Sequence, residues 1–185
     1  MPRQPLTVRD AVPDDAAELV SLWLDAGYPV EPPRCETTEF GQIIAEIAAD
    51  PDQRIVVGVH ESRVVAALHM RRSMIGPLSR EDAVHTSYLA VLPDCRRHGY
   101  ARVLLEAAVS WAEAKDTPRI TAITNSASRD TNRFLARLGL GTIATVRVAP
   151  TTGLRMRLNP APRNGRSRAV GRILAERRRH PAKPA

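Results

Sequence analysis

Residues Pro93–Ala108 read PDCRRHGYARVLLEAA. Two arginines, a histidine and a glycine stand directly before a long, alanine-rich apolar run. The first amides of a helix have no helical acceptor and sit at the positive end of its dipole, which makes a helix N-terminus a ready anion site. Gly99 has no Cβ, so an anion can approach the backbone closely and a positive φ is tolerated. Consecutive amides in such a turn can form an anion-binding nest. Arg96, Arg97 and Arg102 add charge around it, and His98, Tyr100 and Ala101 complete the loop. The pattern Arg96-x-x-Gly99-x-Ala101 between a strand and a helix fits a pyrophosphate seat. The plainer alternative is a glycine-containing loop with solvated arginines.

The flanking segments set that loop in a mixed α/β domain. HTSYLAVL before it is β-branched and apolar enough for a strand. From Gly99 to Lys115 the polar positions Arg102, Glu106, Ser110 and Glu113 form one narrow wet stripe, so the remainder of a helix there should pack on a sheet. Upstream, Thr7–Arg9 reads as a strand, and AVPDDAAELVSLWLDAG as a helix with Asp14 or Asp15 accepting from its first-turn amides and Gly27 as its stop. YPVEPPRCE is too proline-rich for either element. Residues Thr37–Ala49 place Phe40, Ile43, Ile44 and Ile47 on one helical face. RIVVGVH and VVAALHM are strands joined by a hairpin at Glu61-Ser62. Downstream, RITAITN is a short strand, and SRDTNRFLARLGL a helix with Phe134, Leu135 and Leu138 on one face. GTIATVRVA and GLRMRL read as closing strands.

The bulk composition agrees. The 185 residues suit one domain with a full core, and 43% apolar content is ordinary for a globular chain. No apolar run reaches the roughly 18 residues of a membrane span. The polar N-terminus lacks a signal core, and two cysteines do not make a disulfide framework. These features point to a cytoplasmic protein without a membrane partner. No metal-ligand spacing is present. Charge is uneven: from Arg163 onward there are eight Lys/Arg and one Asp/Glu, leaving 19 basic and 19 acidic residues before it. A neutral body argues against a nucleic-acid groove in the domain, and leaves polyanion contact to the tail, which is otherwise simply solvated. Val170, Ile173 and Leu174 there have the spacing of a short amphipathic helix. The expected organisation is a domain over residues 1–159 and a basic tail over 160–185.

LAVLPDCRRHGYARVLLEAA, with Leu89, Val91 and Pro93 on the strand and Arg96, Gly99 and Ala101 in the loop, resembles the cofactor-binding motif of the GNAT superfamily of N-acetyltransferases. The element order from about Leu6 to Leu158 and the closing FLARLGL extend the resemblance. It implies a single mixed, mostly antiparallel, splayed central sheet flanked by about four helices. It implies acetyl-CoA as cofactor, with the pyrophosphate on the amides of Arg97, His98, Gly99, Tyr100 and Ala101, and with Arg102 just beyond. The pantetheine arm would pair like an added strand with Leu89, Ala90 and Val91. An acceptor amine would then attack the acetyl carbonyl directly, and holding both reactants in line could supply much of the rate. Asn125 and Asn132 could bond the cofactor's amides; turn and cap chemistry is the alternative for both. The resemblance allows a homodimer.

Two positions depart from the family pattern. Ser87 stands where many members carry a glutamate base. His85, two residues back on the same strand face, can serve instead, since histidine titrates near neutral pH; the alternative is a strand-end surface histidine. By the same alternation Tyr88 should point to the opposite face. Leu135 stands where many members carry a tyrosine that protonates the leaving thiolate. A thiolate leaves reasonably near neutral pH, so activity need not be lost. The departures leave open an acyl-CoA-binding or protein-interaction domain on the same fold. Glu31 and Glu36 are either acceptor-site carboxylates or solvated. His69 reads as a satisfied strand residue, and Cys95 as an incidental thiol whose pKa nearby positive charge would lower. The acceptor is a primary amine of undetermined identity: protein lysine or N-terminus, or a small molecule.

Overall fold

The computed structural model describes residues 6–28 and 37–159, and the chain divides into two compact units, Met1–Gly141 and Thr142–Ala185. The first unit holds a five-stranded sheet in sequence order, β1 (Thr7–Asp10), β2 (Gln53–His60), β3 (Arg63–Met74), β4 (Asp82–Val91) and β5 (Ile120–Ala122). The first four are antiparallel and β5 runs parallel to β4. This is the mixed, mostly antiparallel sheet that the resemblance implies. The β2–β3 hairpin turns at Glu61 and Ser62, whose φ angles of 50° and 62° match the strand twist.

Helices cover both faces. On one side α1 (Ala16–Asp25) and α2 (Thr37–Ala49) bury Leu19, Leu22 and Ile44 against Val57, Ala67 and Ala90. On the other, α3 (Tyr100–Ala114) and α4 (Arg129–Arg137) bury Leu104, Trp111 and Leu135 against Leu68, Met70, Val84 and Leu89. The wet stripe of α3 is exposed as expected, and Leu104 and Ala108 opposite it have no exposure. Each such large side chain contributes roughly 1.5–3 kcal/mol of burial.

The sheet splays at β4. Leu68 of β3 faces two residues of β4, because the register slips between Ala67 and His69. The extra residue is accommodated at Tyr88, which has φ 57°, the geometry of a β-bulge. Meanwhile β5 pairs with β4 only at Val84–Thr86. Past that point the two strands diverge, and the β5 side of Leu89–Val91 is left open.

Several expectations are corrected. Ile43 and Leu138 are exposed at 43% and 42%, so the buried stripes of α2 and α4 are narrower than their apolar spacing. Asp15 caps no first-turn amide of α1; its Oδ2 accepts from the upstream Val12 N–H at 2.8 Å while Arg9 clasps the carboxylate. The closing strands do not form. In the second unit Thr142–Pro150 has no regular structure, and Thr151–Leu158 is a helix, α5, with Pro150 at its N-cap. Strand propensity becomes a strand only where a neighbour supplies a ladder, and the exposed 142–149 segment has none. Leu, Arg and Met are good helix formers when left alone. No helix among the described residues is long and apolar enough to cross a membrane. Glu31, Cys35, Glu36 and the basic tail with its expected short helix lie outside the described residues.

Candidate active site

The loop that joins β4 to α3 has the conformation its composition anticipates. Pro93–Cys95 is one 3-10 turn, Arg96 is extended, Arg97 takes φ 65°, and Gly99 takes φ 84° directly before the helix. A Cβ added at Gly99 would meet nothing within 4 Å, so the space above this residue is open. The glycine is required by the positive φ, not by crowding. The Gly99 carbonyl accepts from Arg102 and Val103, which leaves the amides of Tyr100 and Ala101, at the first helical positions, without helical acceptors. His98 Nδ1 lies 2.9 Å from the Arg96 carbonyl and 3.1 Å from that of Cys95. Carbonyls only accept, so this nitrogen carries the proton, and the ring pins the loop. Arg96, Arg97, His98 and Gly99 are exposed. Arg102 pairs with Glu106 on the helix surface, an exposed contact worth little. At Cys95 the direction of the expected shift is corrected: burial raises its pKa, and the neighbouring Asp94 adds to this, against the lowering that the loop's positive charge suggests.

The open side of β4 leads straight into this loop. Ala90 pairs with Ala67, and the Leu92 amide donates to Val65. In an antiparallel ladder alternate residues bond the neighbour, so Leu89 and Val91 direct their amides and carbonyls away from β3, into the gap. Two of the carbonyls beside the gap are already engaged by side chains of the first helical segment: Trp23 Nε1 donates to Tyr88 O at 2.8 Å, and the Tyr28 hydroxyl to Leu89 O at 3.2 Å. A third, Val91 O, receives Arg96 Nε at 3.4 Å. Tyr28 stacks on Tyr88 at 4.8 Å, and Trp23 meets the same ring edge-on at 5.3 Å. Burial, then the neighbouring Tyr88, raises the Tyr28 pKa and keeps its hydroxyl protonated. Sequence patterning missed Trp23 and Tyr28 because their partners are backbone atoms more than sixty positions away.

The bulge also overturns the expected orientation of Tyr88. Ser87 opposes His69, which shares a face with Ala67 by strand alternation. Tyr88 packs with Trp23 and Tyr28 on that same face. One extra residue resets the alternation, and Leu89 goes to the α3 side. Ser87 Oγ lies 3.0 Å from His69 Nδ1, and His85 Nδ1 lies 2.8 Å from Thr121 Oγ1. The Nε2 atoms of both histidines are buried with no hydrogen-bond partner among the described residues. His69 is therefore only half satisfied, and burial holds its pKa below the ordinary histidine value, with Arg71 adding to the effect. His85 lies where β5 still pairs; Ser87 lies where the strands have begun to part.

The two asparagines close the turn after β5. Asn125 accepts from the Ala127 amide at 2.9 Å and reaches the Gly27 carbonyl at 3.2 Å. Asn132 donates to the Ser128 and Asn125 carbonyls and accepts from Thr124. These are local turn bonds, and neither asparagine caps α4, whose N-cap is Ser128. Leu135, in the position noted for tyrosine, is 5% exposed and packs in the α3 core cluster. Among the described residues, no group of three His, Cys, Asp or Glu lies together as a metal site would require.

Residues 17–140 match the family model described as the acetyltransferase (GNAT) family. The chain belongs to the GNAT family. The matched span ends within the first compact unit and contains the loop, the gap and the polar row of β3 and β4. Solved structures share the GNAT fold at low identity. A transcriptional regulator from Bacillus halodurans C-125 is 17% identical, with TM-score 0.68 over 79% of this chain and 100% of its own. Glucosamine-6-phosphate N-acetyltransferase from Arabidopsis thaliana is 12% identical, with TM-score 0.67 over 80% and 99%. Aminoglycoside N-acetyltransferase AAC(6')-Iy, in complex with CoA, is 14% identical, with TM-score 0.65 over 82% and 98%. No curated protein matches the chain.

Proposed function

We propose that this GNAT-family chain transfers an acetyl group from acetyl-CoA to a primary amine by direct attack. The observation that carries this reading is the continuity of the β4 gap with a left-handed glycine loop at the head of α3. The pyrophosphate would sit on the amides of Arg97 to Ala101, with Arg96 and Arg102 nearby to offset its charge. The pantetheine arm would pair with Leu89 and Val91, displacing Arg96 Nε and sharing the Leu89 carbonyl with Tyr28. Ser87 and His85, on the face beside the gap, are the sequence-derived candidates for handling the amine's proton. Asn125 and Asn132, in and after the turn that follows β5, are the candidates to bond the cofactor's amides; Asn125 Nδ2 donates one of its two hydrogens to Gly27 O and keeps the other for such a bond. The sparse cysteines fit a reducing, cytoplasmic setting.

The burial of Leu135 favours a second reading, in which the chain binds acyl-CoA without turning it over. Thermal unfolding with acetyl-CoA, free CoA and ADP, followed by CoA release with a panel of amines, separates the two. A ligand at a hundred times its Kd adds about 2.7 kcal/mol of stability. A shift with turnover supports the transferase. A shift without turnover supports the binding domain, and no shift at millimolar acetyl-CoA removes both. A polyanion contact through the tail predicts salt-sensitive nucleic-acid binding that is lost on cutting at Asn159.

A further inference from the structure

We propose that His69 is the catalytic base of the transfer, taking the acceptor amine's proton on Nε2, with Ser87 as the positioning residue that holds its ring. The inference rests on the transferase reading and names the residue that serves it. Four observations point to His69. It is one residue from Leu68, the position that faces the bulge, and it stands directly opposite Ser87, the first β4 residue past the last pairing with β5. Its Nδ1 is anchored to Ser87 Oγ at 3.0 Å. Its Nε2 is buried and has no partner among the described residues, an arrangement that costs stability unless something else uses the atom. Finally, burial lowers its pKa, so it is neutral at physiological pH and able to accept. His85 is set back by two residues, about 6.8 Å along the strand, and faces Arg71 and Thr121 where β5 is still paired. The titratable groups on this face are Arg71 on His69's own strand, His85 and Tyr88 on β4, and Tyr28 after α1.

The role fixes the tautomer. Nε2 can accept only if Nδ1 carries the proton and donates it to Ser87 Oγ, whose own hydrogen then points elsewhere. In the reaction the amine nitrogen bonds to the acetyl carbon and its proton passes to His69 Nε2. The carbon–sulfur bond breaks, its electron pair leaves on the CoA sulfur, and that thiolate takes a proton from solvent. The imidazolium returns its proton to solvent.

The test is the pH dependence of kcat/KM for CoA release, with spermidine, glucosamine 6-phosphate, kanamycin and a lysine peptide as acceptors. The amine itself must be neutral, so log kcat/KM should rise with slope one toward the amine's pKa. A histidine base adds a second unit of slope below its own pKa, under pH 6.5. His69→Gln should lower kcat at least 100-fold at pH 7.5 and reduce the low-pH slope to one. Imidazole added to His69→Ala should restore part of the rate, which a purely structural role would not allow. Ser87→Ala should lower kcat about tenfold with KM for acetyl-CoA unchanged. Nitrogen-15 NMR of the wild-type imidazoles, which needs no variant to fold, should show His69 protonated on Nδ1. A proton on Nε2, or a slope of two retained by His69→Gln and lost by His85→Gln, would overturn the assignment while leaving the transferase intact. Wild-type protein that releases no CoA with any acceptor fails earlier, at the transferase reading itself.

Discussion

Gly99 carries the cofactor argument at the level of a single residue. Its φ of 84° is one that a side chain adopts at a cost of roughly 1–2 kcal/mol, yet a Cβ there touches nothing. Gly99→Glu should therefore fold with a modest loss of melting temperature and lose the acetyl-CoA shift entirely, because a carboxylate would stand in the anion's place. An undiminished shift in that variant would remove the loop from the site. Asp15 makes a separate prediction about stability. Its pKa is lowered by the Arg9 hydrogen bonds, opposed by burial and helped by the Val12 amide. A depressed carboxylate contributes stability that is present above its unfolded pKa, near 3.9, and is lost as pH falls through the lower folded value. Asp15→Asn should cost about 1.5–3 kcal/mol at pH 7, and the gap to wild type in urea titrations should close as pH falls below about 4.

The decisive element is β4, and its bulge separates what alternation can read from what it cannot. The strand was legible as β-branched sequence, and so was the glycine loop that follows it. The slip at Tyr88 was not, since a bulge is a mismatch between two strands and leaves no period in either one. For that reason alternation puts Tyr88 on the wrong face, and His69 has the pattern of an ordinary strand residue. Trp23 stabilises the bulge from outside by donating to the Tyr88 carbonyl. Trp23→Phe keeps an aromatic ring at the position and removes the donor. It should cost about 0.5–1.5 kcal/mol and raise KM for acetyl-CoA more than it lowers kcat, because it loosens the strand that the pantetheine arm pairs with. An unchanged KM would mean that the bulge holds its shape without the indole.

At the scale of the whole molecule, the sheet and its two helical covers follow from patterns spread along 6–141, and the matched family span lies within them. Acetyl-CoA would contact residues from β4, α3 and the segment around Tyr28, so its binding should protect amides across all three. Hydrogen exchange with saturating acetyl-CoA should slow at Leu89 and Val91, at the head of α3 and around Tyr28 together. Protection at the loop alone would indicate that only the phosphates dock.

The sequence by itself determined the α/β class, the order of elements through Leu140, the glycine loop and the family it announces. Each of these is written in local periods, turn residues and one short motif. Tertiary structure alone decided that β4 leaves β5 past Thr86, the pairing of His69 with Ser87, the aromatic bonds to the β4 carbonyls, and the failure of 142–158 to form strands. All four depend on which chain segments become neighbours. A strand partner, a cross-strand hydrogen bond or a missing ladder is a property of two segments at once, and no window of one carries it.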